Sequence, residues 1–239
     1  ASWTFRKAEK FFDVVTWTGN STVGRTVAHN LGVAPAWMVI KCTNAARNWC
    51  TYHISLGNGY QIILSGSAAK ESTALWNYTT PTATEFTLGN DADVNGTGNT
   101  YVAYLFASDA GGFGDDGSES IIKCGSVTTD GSGNASVDLG FEPQWCLWKC
   151  VDAAGGNEHG NWRINDTMRG WPAPSSANAF GSPSTLYANT SGTETTNGVD
   201  GFIKSATGFG FGQVQANKTY IYIAIRRPMK TPESGTEVF

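Results

Sequence analysis

The chain has 239 residues, enough for one large core or for two cores of about 100 residues each. Only 15% of its residues are charged, whereas aromatic residues reach 12%, a composition that favours short strands and tight turns over amphipathic helices. A net charge of −4 without a basic stripe argues against a nucleic-acid partner, and no apolar stretch reaches the length that spans a membrane. We therefore expect an all-β protein without membrane insertion.

In chain order, the predicted strands of the first half begin at Val14-Val15 and continue with the apolar run Trp37–Ile40. Such a run is typical of a strand that is buried on both faces. Asn58-Gly59 and Asn95-Gly96 are hairpin-type dipeptides and predict turns between further strands. The first half is thus predicted to be a β-sandwich over residues 13–107.

A Gly- and Asp-rich segment, 108–120, follows as a predicted linker. The second predicted β-sandwich covers 121–227 and ends in the β-branched and aromatic run Tyr220–Ile225. Many short strands at this turn spacing indicate two tandem antiparallel β-sandwiches with a jelly-roll-like arrangement.

The two ends of the chain predict a longer array. Phe5-Arg6-Lys7 resembles Ile225-Arg226-Arg227, the end of the last predicted strand. We therefore expect residues 1–12 to be the closing strand and linker of an upstream unit, and residues 228–239 to be a C-terminal linker or tail.

An internal repeat supports this division. Residues 31–42 read LGVAPAWMVIKC and residues 139–150 read LGFEPQWCLWKC. Six residues of the first segment return at the same positions of the second: Leu31/Leu139, Gly32/Gly140, Pro35/Pro143, Trp37/Trp145, Lys41/Lys149 and Cys42/Cys150. Further matches are Asn48-Trp49 with Asn161-Trp162, and Leu75-Trp76 with Leu186-Tyr187.

The five cysteines give no metal or disulfide pattern. Cys146 and Cys150 lie in the strand-like run WCLWKC, and no second CxxC or HxxxH supplies further ligands. Buried free thiols are the favoured interpretation. We expect no cofactor.

No catalytic motif is present in the sequence. His29, His53 and His159 lie in no triad frame with a Ser, Cys or carboxylate, and there is no GxSxG elbow. The acidic residues form no recognisable pair of the kind a glycosidase needs. We therefore expect a protein that is not an enzyme.

One segment resembles the opening of a calcium loop, with oxygens at Asp91, Asp93 and Asn95. The twelfth position is Val102 rather than the bidentate Glu that such a loop requires. A polar turn is the favoured interpretation, and calcium is the alternative.

Aromatic side chains are the remaining contact groups, because a Trp or Tyr can stack on a sugar ring while its polar edge forms hydrogen bonds. Those present in both copies are expected to fill cores: Trp37, Trp145, Trp49 and Trp162. Candidates for ligand contact, at positions that the repeat constrains less, are Trp76, Asn77, Tyr78, Trp171 and Tyr187. For the Trp residues among them, core packing is the favoured interpretation and ligand contact is the alternative.

The phrases WTFRKAEKFFDVVTWTG, HNLGVAPAWMVIK, AARNWCTYHISLG, TYVAYLFA and TYIYIAIRRPMKTP, in this order, resemble the repeated modules of marine tailed-bacteriophage structural proteins. Such modules are described as tail-fibre-like or laminin-G-like. The resemblance covers essentially the whole chain. It implies a virion component, in a fibre, spike, knob or capsid decoration, and carries no catalytic residues.

The resemblance and the absent catalytic motif together predict a non-enzymatic virion protein, assembled in the host cytoplasm, that mediates host-surface adhesion or virion assembly. Expected partners are other virion proteins or a host-surface glycan, and we expect a homo-oligomer, for example a trimer. The alternatives are a tail-associated polysaccharide depolymerase and a purely architectural capsid decoration.

Overall fold

The structure, a computed structural model, describes residues 4–153, 160–171, 184–195 and 201–226. Within these ranges it contains strands and one short 3-10 helix, Thr167–Arg169, but no α-helix. The strands of the first half are β1 (Phe12–Thr18), β2 (Arg25–Ala28), β3 (Trp37–Cys42), β4 (Trp49–His53), β5 (Tyr60–Ile63), β6 (Glu71–Ser72), β7 (Glu85–Leu88) and β8 (Thr100–Phe106). Those of the second half are β9 (Ile122–Thr128), β10 (Ala135–Asp138), β11 (Pro143–Cys150), β12 (Arg163–Asp166), β13 (Leu186–Tyr187), β14 (Gly201–Lys204), β15 (Gly208–Gly212) and β16 (Thr219–Arg226).

Each half contributes one large antiparallel sheet. Sheet 1 has the strand order β1-β8-β3-β4-β5-β6, and sheet 2 has the order β9-β16-β11-β12-β13. The register also corresponds, because Trp37 pairs with Phe106 and His53 while Trp145 occupies the equivalent central position in sheet 2. The expected all-β class with antiparallel sheets is confirmed.

One expected match between the halves is wrong. Leu186 in β13 pairs with β12 as Ile62 in β5 pairs with β4. The counterpart of Leu186-Tyr187 is therefore Ile62-Ile63 rather than Leu75-Trp76. A two-residue likeness carries too little information to set the register of so short a strand.

The outer face of each large sheet packs against a smaller sheet. Strands β2 and β7 form a ribbon over sheet 1, where Trp17 contacts Tyr101 and Phe86 at ring-centroid distances of 5.4 and 5.7 Å. Strands β10, β15 and β14 form a three-stranded sheet over sheet 2, where Trp148 stacks on Phe202 at 5.0 Å. Burial of these rings is the main source of stability on the outer faces.

The inner faces of the two large sheets pack against each other. Trp37 and Val39 of sheet 1 belong to the same buried cluster as Trp145 and Ile223 of sheet 2. The ring of Phe5 also lies in this interface, with its centroid 6.2 Å from that of Trp145. The halves thus share one apolar interior between their sheets, which the expectation of separately closed units did not include.

Polar contacts also connect the two halves. The indole of Trp162 donates to the carbonyl of Ile63 at 2.9 Å. His53, fully buried, places Nε2 3.2 Å from the carbonyl oxygen of Tyr222. Because these bonds lie within the packed interface, they favour one position of one sheet on the other.

The N-terminal and connecting segments contain little regular secondary structure among the described residues. Thr4–Lys7 pairs with no described strand, and the ring of Phe5 packs against Phe106 and Trp145. The segment 108–120 contains turns and one isolated bridge, between Phe113 and Glu119. The predicted tail, 228–239, lies outside the described residues, and the described ranges include no helix with the length and hydropathy of a membrane span.

Candidate functional site

A turn over residues 75–78 forms the most exposed aromatic feature of sheet 1's half, and Trp76 anchors it. The Trp76 side chain is fully buried, its indole donates to the carbonyl of Tyr60 at 2.8 Å, and its ring meets Tyr52 edge-on at 5.9 Å. Trp76 therefore fills the core, the interpretation that the sequence favours over a surface contact. Its large apolar ring gains more free energy by filling the core than a solvent position would offer.

Of the two residues after this anchor, Asn77 is half-buried and Tyr78 is exposed. Asn77 and Tyr78 have φ values of +48° and +51°, in the left-handed region that residues other than glycine rarely occupy. The Tyr78 side chain is 67% exposed. Backbone hydrogen bonds to Ala74 and from Thr79 fix the turn in this strained form. Strain of this kind is concentrated at ligand-binding and switch segments.

A second tyrosine lies on the adjacent turn. Tyr60 is 41% exposed, and Lys70 places its ammonium 5.8 Å from the ring centroid. The two turns contact each other directly, since the side chain of Asn58 donates to the hydroxyl of Thr80 at 3.0 Å. We call Tyr60, Asn77 and Tyr78 the aromatic corner.

The other two predicted contact residues do not join this corner. Trp171 is buried and stacks on Phe202 at 4.7 Å, so core packing, the favoured interpretation, holds for it as it does for Trp76. Tyr187 is half-buried beside the guanidinium of Arg163, in sheet 2. Sequence reasoning missed Tyr60, for which the preceding Asn58-Gly59 turn is the available signal.

The calcium-loop interpretation of Asp91, Asp93 and Asn95 is contradicted by the hydrogen bonds of Asn95. Asn95 is fully buried, and its side-chain oxygen already accepts from the backbone of Asn20 and the guanidinium of Arg25. The carboxylate of Asp91 instead accepts from the backbone of Asp93 at 2.7 Å, as in an Asx turn. Among the described residues there is no group of three or more His, Cys, Asp or Glu side chains that could hold a metal.

The described histidines occupy structural positions. His53 accepts from the backbone N–H of Ser55 at Nδ1, which leaves Nε2–H to donate to Tyr222. Burial lowers the pKa of His53 to about 4. His29 accepts from the backbone of Leu31, and burial lowers its pKa as well. His159 lies outside the described residues.

All five cysteines are buried and free, as expected. Burial raises the pKa of the Cys124 and Cys146 thiols, and that of Cys50 is raised by burial and by the Asp93 carboxylate. Since the thiolate is the reactive form, these side chains behave as small apolar residues and not as nucleophiles.

The repeated lysines also have a structural role. Lys149 is fully buried, donates to the carbonyl of Gly160, and has a pKa that burial lowers to about 8. Lys41, its counterpart in the first half, donates to the carbonyl of Arg47. Lys41 therefore bonds to a residue of the loop between β3 and β4, and Lys149 bonds to a residue of the equivalent loop between β11 and β12.

A cavity of about 710 Å³ lies between the connecting segment 108–120 and sheet 2's half. Its lining includes Glu119 and Glu142, which no sequence motif relates to each other, and we call it the charged cleft. Glu119 forms an ion pair with Arg226 and Glu142 forms one with Lys204. Both carboxylate side chains are about half exposed, at 45% and 53%.

The described residues thus define an all-β protein of antiparallel sheets with an exposed aromatic corner and a charged cleft. A family model with the description "Domain of unknown function (DUF7483)" matches residues 6–228, so the chain belongs to this family. The matched range spans both halves in one domain, in agreement with their shared interior. No curated protein and no solved structure matches the chain.

Proposed function

We propose that the chain is a non-enzymatic structural protein of a tailed-bacteriophage virion, in a fibre, spike, knob or capsid decoration. In this proposal it consists of two tandem jelly-roll-like β-sandwich repeats, 13–107 and 121–227, and it contacts a host-surface glycan or neighbouring virion proteins. The aromatic corner is the contact surface for the glycan.

The observation that carries the proposal is the matching strand order of sheets 1 and 2, packed through equivalent inner faces. A duplicated unit that buries its inner face against its own copy forms a rigid body with loops at its periphery, where recognition residues usually lie. Such a body needs no cofactor and suits a particle component that must withstand mechanical load.

The sheet edges support assembly into an oligomer. Strands β1 and β9 are seven-residue edge strands that pair on one side only within the described residues, whereas the opposite edges of sheets 1 and 2 are formed by strands of two residues, β6 and β13. Long unpaired edges are protected in most proteins by a neighbouring chain or segment. We therefore propose a homo-oligomer, for example a trimer.

Immunogold electron microscopy tests the proposal. Antibodies raised against the purified chain should label purified particles of the virus that encodes it, at one fixed position on the particle. Label confined to infected-cell lysate, with unlabelled particles, would contradict a virion role. Light scattering of the purified chain measures the oligomeric state separately.

The charged cleft favours a second candidate, a tail-associated polysaccharide depolymerase. A glycosidase needs one carboxyl group as an acid and one as a base or nucleophile on opposite sides of a cleft. Glu119 and Glu142 share a cleft, but both are ion-paired and about half exposed, without the apolar enclosure that adapts a carboxyl group as the acid. Polysaccharide shortening by the purified chain, abolished in Glu142→Gln, would favour the enzyme.

A further inference from the structure

We infer that the aromatic corner is a shallow carbohydrate-binding site that takes a pyranose ring of a cell-surface polysaccharide. That the ligand comes from a bacterial surface depends on the adhesive form of the proposed function. The chemistry of sugar binding depends only on Tyr60, Asn77 and Tyr78.

The corner exposes two aromatic side chains on which a sugar can stack. Tyr78 is 67% exposed and Tyr60 is 41% exposed, whereas the other aromatic side chains among the described residues are buried or half-buried. A pyranose has one face lined by C–H groups, which packs on an aromatic ring, while the phenol hydroxyl stays available for hydrogen bonding at the rim.

The turn holds Tyr78 in place before any ligand arrives. Trp76 is locked in the core by its bond to the carbonyl of Tyr60, and Gly89 donates to the carbonyl of Leu75 at 2.8 Å. The hydroxyl of Thr79 also stabilises the turn, because it donates to the carbonyl of Asn77 at 2.9 Å. A contact group that is ordered in advance loses little conformational entropy on binding.

The polar groups of the corner suit a neutral ligand. The side-chain amide of Asn77 makes no hydrogen bond to any residue that the structure describes, so both its donor and its acceptor are free for sugar hydroxyls. Asn58, Thr79 and Thr80 add neutral side chains on the same two turns. Lys70, the cation nearest to Tyr60, is paired with Asp152 at 3.3 Å.

The exposed ring area of the corner suits a small ligand. A tyrosine side chain has about 200 Å² of surface, so the exposed parts of Tyr60 and Tyr78 together offer roughly 200 Å². Two exposed rings on adjacent turns are therefore sufficient for contact with one or two sugar units.

Binding at one corner is expected to be weak, because a shallow site immobilises the ligand with few contacts. Repeated display on an oligomer or particle raises the effective affinity by a factor of about 100 or more. The test must therefore use the chain in multivalent form.

The experiment measures binding of the full chain, coupled at high density to fluorescent beads, to an array of bacterial capsular polysaccharides and lipopolysaccharides. The variants are Tyr78→Ala and Asn77→Gly, of which the second removes the amide and suits the positive φ. Met168→Ala is the matched control, because Met168 is 68% exposed and lies in the other half. Circular dichroism and thermal melting confirm that each variant is folded.

We expect wild-type beads and Met168→Ala beads to bind the same polysaccharides, and Tyr78→Ala beads to bind at least about ten-fold less. Saturation-transfer NMR with the methyl glycoside of the bound sugar should then show transfer from aromatic protons that is lost in Tyr78→Ala. Equal binding by all variants would overturn the assignment of the corner, as would wild-type beads that bind no polysaccharide on the array. Virion labelling, which tests the proposed function, does not depend on either result.

Discussion

His53 makes the contact between the two sheets sensitive to acid. Its ring is fully buried in the interface, where Nδ1 accepts from Ser55 and Nε2–H donates to Tyr222. Protonation would place a charge in a dry interior and would remove the acceptor that Ser55 uses. Burial accordingly lowers the pKa of His53 from 6.5 to about 4.

Acid lowers the stability of the folded chain because the pKa of His53 is lower in the folded chain than in the unfolded chain. The unfolded chain takes up a proton on His53 near pH 6.5, and the folded chain does so only near pH 4. The stability that the neutral ring contributes is therefore complete above pH 6.5 and is lost as the pH falls from 6.5 to 4. At about 1.4 kcal/mol for each pKa unit, the loss in unfolding free energy is about 3.5 kcal/mol once the pH has fallen below 4.

Urea unfolding followed by tryptophan fluorescence, at pH values between 4.5 and 7.5, measures this loss. The comparison is with His53→Gln, which keeps an N–H donor and cannot take up a proton in this range. His29 also has a pKa lowered by burial and contributes in the same direction, so the difference between the two proteins isolates His53. The variant should be the less stable protein at pH 7.5 and should lose this disadvantage towards pH 4.5. A difference that stays constant across the range would refute the reasoning.

Three further substitutions test the interior, each by the change in urea midpoint. Trp162→Phe removes the donor to Ile63 in the sheet interface and should cost about 1 to 2 kcal/mol, with a smaller loss in Trp49→Phe, whose ring is only half-buried. Asn95→Ala leaves buried backbone groups without partners and should cost about 2 to 4 kcal/mol; a loss below about 0.5 kcal/mol would show that water replaces the amide. Gly208→Ala places a Cβ atom against the carbonyl oxygen of Val137 and should cost more than about 2 kcal/mol, whereas Gly131→Ala meets no atom and should be tolerated.

Strand content and the internal repeat could be predicted from the sequence because both are local properties. Alternation and β-branched or aromatic runs, as in Tyr220–Ile225, are written along the chain itself and place β16 within one residue of its observed bounds. The buried thiols follow equally from the apolar runs around them. No such local signal exists for a ligand, and the sequence therefore predicted a set of contact residues that mixed buried and exposed side chains.

The tertiary structure alone decided which aromatic residues face solvent. Trp76 and Tyr78 are two positions apart in one turn, yet one is buried and the other mostly exposed, because a left-handed backbone reverses the direction of the chain between them. Trp49 and Trp162 hold the same place in the repeat, and only Trp162 is fully buried. The repeated sequence determines which residues form a strand. The burial of a side chain depends instead on the part of the protein that packs against it, and the two sheets do not cover each other symmetrically.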